Sequence, residues 1–175
     1  SFAIVGVLLF VVWGSPATLN PVLREIEVIA GFVFVAISAL GRMWSALYIA
    51  GRKNAVLCVK GPYSLCRNPL YLFSSLGLFG VLLATHRPFG AVLGLILFWG
   101  YYTAVIRCEE SRLAGLFGAD YEAYRVTTPA IVPRFDRFVR AERLEIHMHP
   151  MARAFLEVWW FFAAWLTVHL VFIDR

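Results

Sequence analysis

Residues 61–84 read GPYSLCRNPLYLFSSLGLFGVLLA, a stretch that joins a polar, proline-broken segment directly to an apolar run. Gly61-Pro62 is typical of a turn. Asn68-Pro69 is typical of a helix start, because asparagine is a favoured N-cap and proline is tolerated at the first helical position. The free N–H groups and positive dipole end of that helix would face a ligand. The stretch therefore predicts a binding site at the mouth of a membrane helix.

The composition of the whole chain indicates a membrane protein. Of its 175 residues, 61% are hydrophobic and 15% are charged, whereas soluble domains average about 45–50% and about 25%. A membrane helix needs about 20 apolar residues. The apolar segments are residues 2–13, 28–50, 70–84, 89–106 and 155–173. We therefore expect an all-α integral membrane protein with about five transmembrane helices, forming one domain over residues 1–175. No Gly-rich dinucleotide fingerprint is present.

The distribution of Lys and Arg predicts the orientation. Between the second and third spans lie Arg52, Lys53, Lys60 and Arg67, and between the fourth and fifth lie Arg107, Arg112, Arg125, Arg134, Arg137, Arg140 and Arg143. The opposite side has only Arg24, Arg87 and Arg175. The positive-inside rule makes the two basic loops cytoplasmic, with the N-terminus inside and the C-terminus outside. We expect a bacterial inner-membrane protein whose site faces the cytoplasm. Its net charge of +5 then indicates contact with anionic lipid headgroups rather than nucleic acid.

The long polar stretch at residues 107–150 predicts a cytoplasmic helical cap. The fourth span is expected to continue as helix beyond the membrane and to stop at Gly118, a favoured residue after a helix end. Asp120 is then expected to cap a short helix, which Thr128-Pro129 ends.

Arg42 lies inside an apolar span that offers it no acidic neighbour. An arginine at membrane depth costs roughly 2.5–3.5 kcal/mol on insertion scales unless it is near the interface or paired. Two interpretations stay open: the side chain extends to the headgroups, or it serves the site.

The cysteines and histidines predict neither a disulfide framework nor a metal site. Cys58, Cys66 and Cys108 form no CxxC pair and fall on or near the predicted cytoplasmic side, where thiols stay reduced. His147 and His149 stand two apart with no nearby Cys or carboxylate pair, which is a weak metal signal.

Several motifs carry a family resemblance through their order and spacing. Arg67-Asn68-Pro69-Leu70-Tyr71 is followed after 37 residues by Glu109-Glu110, and after six more by Phe117-Gly118. Tyr121, Tyr124 and the prolines Pro129 and Pro133 follow. This order resembles the pattern GxY…RHPxY…EE…FGxxYxxY, with two spaced prolines, of the isoprenylcysteine carboxyl methyltransferase and phospholipid methyltransferase superfamily. The resemblance covers roughly residues 41–134.

The resemblance implies a membrane-embedded enzyme that has no Rossmann domain, in agreement with the missing fingerprint, and that uses S-adenosylmethionine at the cytoplasmic ends of its helices. The cofactor-binding positions that it implies are Ala55, Val56, Leu57, Cys58, Tyr63, Asn68, Pro69, Leu70, Tyr71 and Glu109. Arg42 is the implied catalytic residue that orients the acceptor from the membrane side, and Arg107 is a second candidate. Asn68 stands where relatives have histidine, which keeps an acceptor and a helix cap but removes a titratable group. Ala130 stands where many relatives have arginine.

The acceptor is expected to be a lipophilic small molecule or a lipidated molecule. Carboxyl O-methylation is favoured, because a carboxylate is already nucleophilic at neutral pH. Phospholipid N-methylation and small-thiol S-methylation stay open. Two other classes also stay open: a sterol-type, NADPH-dependent membrane reductase and a non-catalytic helical membrane subunit.

Overall fold

The computed structural model describes residues 20–51, 55–141 and 148–172. Its helices are α1 (Pro21–Ile49), α2 (Pro62–Leu65), α3 (Pro69–Leu83), α4 (Pro88–Phe117), α5 (Ala119–Thr127) and α6 (Met148–Phe172), with a short 3-10 helix at Phe135–Arg137. These described ranges contain no β-strand. The prediction of an all-α fold without a Rossmann domain is confirmed there.

Within the described ranges, three helices are long and apolar enough to cross a membrane: α1, α4, and α6 over Phe155–Phe172. The third predicted span is a shorter apolar helix, α3, of 15 residues. At about 1.5 Å per residue it extends about 22 Å, less than the roughly 30 Å hydrocarbon core. The first predicted span, residues 2–13, lies outside the described residues.

The helix boundaries follow local sequence signals. Prolines occupy the first turn of α1, α2, α3 and α4, where the missing N–H has no partner to lose. Gly118 ends α4 with a φ of 52°, as predicted from its position. The predicted cap at Asp120 is wrong. Gly118 both ends α4 and begins α5, so Asp120 already lies in the first turn of α5.

Helices α1 and α3 pack antiparallel at very close range. A Cβ atom added to Gly31 would lie 2.6 Å from the carbonyl oxygen of Gly80. Only glycine permits this approach, and close packing of small residues is a main source of helix association in membranes. Helix α6 packs against both α1 and α3, α4 packs against α3, and α5 packs against α4.

The bundle has two chemically different ends. At one end, α1 and α4 finish while α3 and α6 begin, and a cavity opens there. We call this the cavity end. At the opposite end, His86 Nδ1 lies 2.8 Å from Glu27 Oε2, and the Arg87 guanidinium lies over the Phe172 ring. These contacts join the start of α1 and the end of α6 to the turn between α3 and α4.

Candidate active site

The cavity has a volume of about 500 Å³, within the range of about 300–1,000 Å³ that is usual for small-molecule sites. The predicted site residues that line it are Arg42, Val56, Leu57, Cys58, Tyr63, Asn68, Pro69, Leu70, Tyr71 and Glu109. Ala55 and Arg107 are exposed and do not line it. The structure thus brings ten of the twelve predicted residues together from α1, α2, α3, α4 and the loops on either side of α2.

Glu109 is positioned by a tyrosine from the neighbouring helix. The Tyr71 hydroxyl donates to Glu109 Oε2 at 2.9 Å. The Tyr71 ring in turn packs against Tyr102, with ring centroids 5.1 Å apart. The carboxylate of α4 is therefore held beside the first turn of α3, where free backbone N–H groups point toward the cavity end.

The Arg67 side chain connects the segment before α3 to α4 and to the end of α5. Its Nε donates to Glu110 Oε1 at 2.9 Å, and its Nη1 donates to the carbonyl oxygens of Arg125 and Thr128 at 2.9 and 2.7 Å. Both side chains of the ion pair are largely buried, with 12% of Arg67 and 19% of Glu110 exposed. The charge partner of Arg67 is thus the second residue of the Glu109-Glu110 pair.

Asn68 occupies the cap position of α3, but its side chain does not cap the helix. Its amide nitrogen instead donates to Glu110 Oε1 at 3.2 Å and to the Ala130 carbonyl oxygen at 3.1 Å. The prediction of a capping side chain is wrong, because a carboxylate and a carbonyl from other segments offer the amide two acceptors. By donating these two hydrogen bonds, Asn68 holds the end of α4 and the segment at Ala130 against the start of α3.

Two tyrosines support the other wall. Tyr124 on α5 donates its hydroxyl to the Tyr63 carbonyl oxygen at 2.7 Å. Burial raises the pKa of both phenols well above the ordinary value, so both stay neutral at physiological pH. The Tyr63 hydroxyl is buried and has no hydrogen-bond partner within the described ranges. Because Tyr63 lines the cavity, this hydroxyl is available to a ligand.

Arg42 reaches into the cavity rather than only toward headgroups. Its guanidinium donates to Ser74 Oγ on α3 and, at 3.1 Å, to Glu157 Oε2 on α6. It also lies over the Phe161 ring, 5.4 Å from the centroid. The Arg42 Nε is buried and has no hydrogen-bond partner in the part of the chain that the structure describes. An unmatched donor of a charged group at a cavity wall is suited to an anionic ligand.

Glu157 and Ser74 were not predicted as site residues. Glu157 is 115 positions from Arg42 in sequence, so no local pattern connects them. A signal was nevertheless present, because Glu157 is the sole acidic residue in the apolar segment 155–173. Ionisable residues inside membrane segments commonly pair with one another.

The fold and the cavity together define an α-helical integral membrane protein with a candidate small-molecule site at the ends of its helices. The chain belongs to the phospholipid methyltransferase family, whose model matches residues 26–120. The family resemblance inferred from the motifs is therefore confirmed.

Three named proteins are similar to the chain in sequence. The chain is 36% identical over 149 residues to the cobalt-zinc-cadmium resistance protein CzcN of Cupriavidus metallidurans, covering 85% of this chain and 64% of that protein. It is 34% identical over 145 residues to the nickel-cobalt-cadmium resistance protein NccN of Alcaligenes xylosoxydans xylosoxydans, covering 83% and 68%. It is 31% identical over 98 residues to the protein-S-isoprenylcysteine O-methyltransferase of Schizosaccharomyces pombe, covering 53% and 40%. The chain thus spans less than two thirds of the length of CzcN. No solved structure matches it.

Proposed function

We propose that this protein is a membrane-embedded, S-adenosylmethionine-dependent methyltransferase that acts on a lipophilic carboxylate. One observation carries the proposal: a single cavity is lined by two residues with unmatched polar groups, the Tyr63 hydroxyl and the Arg42 Nε. The first is contributed by the segment before α3, and the second by an apolar helix, α1, seven residues before its end. A polar ligand and a membrane-borne ligand can therefore meet in the same space.

The residues around Tyr63 fit the cofactor. Glu109 can accept hydrogen bonds from ribose hydroxyls or an ammonium group, and the start of α3 can hold a carboxylate. The aromatic faces of Tyr71 and Tyr102 line the same cavity and can attract a cation. When bound, S-adenosylmethionine supplies a methyl group on a positively charged sulfur, and its transfer to a carboxylate oxygen gives a methyl ester and an uncharged thioether.

The Arg42 side of the cavity fits the acceptor. Its guanidinium fork matches a carboxylate in geometry and charge. Lys60 and Arg67 also line the cavity, so positive charge exceeds the charge of the single lining carboxylate, Glu109. In-line methyl transfer depends mainly on position and charge stabilisation. We therefore assign Arg42 to orienting the acceptor, with no proton carrier required.

Cofactor binding can be tested without knowing the acceptor, because the three cysteines differ in their surroundings. Cys58 lines the cavity, Cys108 is exposed outside it, and Cys66 is buried. Burial raises the pKa of the Cys66 thiol to about 11, which makes it unreactive. S-adenosylmethionine should slow maleimide labelling of Cys58 and leave Cys108, the internal control, unchanged. Equal labelling of Cys58 at saturating S-adenosylmethionine, or protection by NADPH instead, would overturn this cofactor assignment.

The acceptor class can be tested by incubating membranes that contain the protein with methyl-labelled S-adenosylmethionine. We expect the label in a lipid-extractable product that base hydrolysis releases as methanol, as a methyl ester requires. The matched control is the Arg42→Ala variant in membranes at equal protein content. Label that enters lipid but resists base would reject a carboxylate acceptor.

Phospholipid N-methylation is the second candidate, and a specific observation favours it. Glu157 lies 3.1 Å from Arg42, so the two charges could bind the ammonium and phosphate of a zwitterionic headgroup. The family model that matches the chain is also described as phospholipid methyltransferase. Base-stable label that migrates with a methylated amine lipid would identify this reaction.

We further propose a bacterial inner-membrane location with the cavity on the cytoplasmic side, in accordance with the positive-inside rule. Two relatives are named for metal resistance, and we propose that the methylated product serves such a response. Deletion of the gene should then increase sensitivity to cobalt, zinc or cadmium, and only an Arg42-containing copy should restore resistance. Unchanged sensitivity would contradict this role while leaving the reaction itself open to the labelling test.

A further inference from the structure

A basic and aromatic segment at the cavity end has no part in the proposed reaction. Residues 129–141, which we call the basic strap, follow α5 and include the 3-10 helix. Seven consecutive residues, Arg134 to Arg140, are exposed. Among them three arginines alternate with apolar side chains, and Asp136 is the single acidic residue. The strap therefore presents a net positive charge together with apolar surface.

The backbone of the basic strap is fastened to the rest of the protein. Gly61 N–H donates to the Val139 carbonyl oxygen at 2.8 Å, and Val139 N–H donates to Ser64 Oγ at 3.0 Å. Arg134 N–H donates to the Leu65 carbonyl oxygen at 3.0 Å. The strap is thus bonded along α2, yet it leaves 75% of Phe135 and 74% of Val132 exposed. Apolar side chains that stay exposed on a hydrogen-bonded backbone indicate a partner that covers them.

The level of the strap relative to the helices identifies that partner. The Phe138 ring lies 6.1 Å from the Trp44 ring, and Trp44 is five residues before the end of α1. A tryptophan near the end of a spanning helix sits at the headgroup level of the bilayer. The exposed aromatics of the strap therefore lie at the height where lipid headgroups begin.

The charge of the strap selects among lipids. We infer that the basic strap docks on anionic lipid headgroups at the cavity end, with its arginines contacting the headgroups and Phe135 and Phe138 entering the boundary with the acyl chains. Interfacial segments with this combination bind through apolar burial and electrostatic attraction. Each arginine near an anionic surface strengthens binding by about fivefold. Within the strap, Arg134 Nη2 lies 3.1 Å from Asp136 Oδ2. Because this ion pair offsets the charge of Arg134, Arg137 and Arg140 are expected to contribute most to lipid binding.

The test uses the full chain in vesicles and a fluorescent label at Phe135→Cys, with Cys58 and Cys108 replaced by alanine. Nitroxide groups placed near the headgroups of a tracer lipid quench a label that lies in the interface. We expect strong quenching in vesicles that contain phosphatidylglycerol, and weak quenching in phosphatidylcholine alone. Added salt at 0.5 M should reduce the quenching in phosphatidylglycerol, because it screens exposed charges.

Charge variants decide whether the arginines cause the contact. Joint replacement of Arg134, Arg137 and Arg140 by glutamine should reduce quenching in phosphatidylglycerol to the phosphatidylcholine level. Arg112→Gln, an exposed arginine outside the strap, is the matched control and should leave quenching unchanged. Equal quenching in both lipids, or a triple variant that still quenches fully, would overturn the inference. A label that no vesicle quenches would also overturn it and point to a soluble partner. The salt response of the unsubstituted strap gives the same decision if the triple variant misfolds.

Discussion

Arg67 and Arg42 line one cavity but differ in whether a buried donor is left without a partner among the described residues. Arg67 donates to a carboxylate and two carbonyl oxygens. Arg42 retains a buried Nε without a partner among the described residues, and its acidic partner Glu157 is 64% exposed. Removing one partner of a buried, hydrogen-bonded ion pair is strongly destabilising, so Arg67 is expected to hold the structure together. An arginine with an unused donor at a cavity wall is available for a ligand.

The largest expected effect tests the structural half of this comparison. Arg67→Ala should lower the free energy of unfolding by about 3–5 kcal/mol, because it leaves Glu110 buried without its charge partner. Denaturant unfolding of the purified protein in detergent measures it. The matched control is Arg125→Ala, which breaks the exposed pair with Glu122 and should cost less than about 1 kcal/mol. Equal losses in the two variants would contradict a structural role for Arg67.

The second effect tests the ligand-binding half. Arg42→Ala should lower kcat/KM for the acceptor by about 10- to 100-fold, since a hydrogen bond to a charged group contributes about 1.5–3 kcal/mol. Its affinity for S-adenosylmethionine should stay unchanged, and its unfolding midpoint should exceed that of Arg67→Ala. Methyl-transfer kinetics and equilibrium cofactor binding provide the two readouts. Loss of cofactor affinity in parallel with activity would contradict the assignment of Arg42 to the acceptor.

A third effect separates the cofactor region from both arginines. Tyr71→Phe removes the hydroxyl that donates to Glu109, and should weaken S-adenosylmethionine binding by about tenfold, or roughly 1.4 kcal/mol. The acceptor KM should change little. Tyr101→Phe is the matched control, because that exposed tyrosine lies on α4 outside the cavity. Calorimetric titration with S-adenosylhomocysteine measures both, and identical affinities would remove Tyr71 from the cofactor site.

The smallest effect distinguishes the two candidate acceptors. Glu157→Gln should change kcat/KM for a carboxylate by less than about fivefold, since exposed ion pairs contribute at most about 1 kcal/mol. For an aminolipid acceptor, the loss should instead approach that of Arg42→Ala, because Glu157 would bind the ammonium group. The kinetics of Glu157→Gln and Arg42→Ala, measured in parallel on the labelled lipid pool, therefore show which of the two acceptors Arg42 binds.

Features with local causes were predictable from the sequence. The continuation of α4 to Gly118 follows from helical residues that end at a glycine with positive φ. The proximity of Arg67 to the glutamate pair follows from the alternation of spans, which brings the start of α3 and the end of α4 to one side of the membrane. Nearly all predicted cofactor positions line one cavity because they lie close to this junction.

Features that depend on distant segments were not predictable from local patterns. The Asn68 amide turns away from its own helix because Glu110 and Ala130 supply acceptors. The acidic partner of Arg42 comes from α6, whereas the apolar span that contains Arg42, residues 28–50, has no carboxylate.

The contact between Gly31 and Gly80 bears on the distance between the cofactor region and the acceptor region. Because backbone meets backbone there, α1 and α3 are expected to move as one body. Arg42 lies on α1 and Tyr71 lies on α3. The distance between the acceptor region and the cofactor region would therefore be fixed before either ligand binds. Such preorganisation turns an encounter of two molecules into a reaction of high effective concentration. Any opening that admits the acceptor would then come from α6, and a crosslink between α1 and α3 should leave turnover intact.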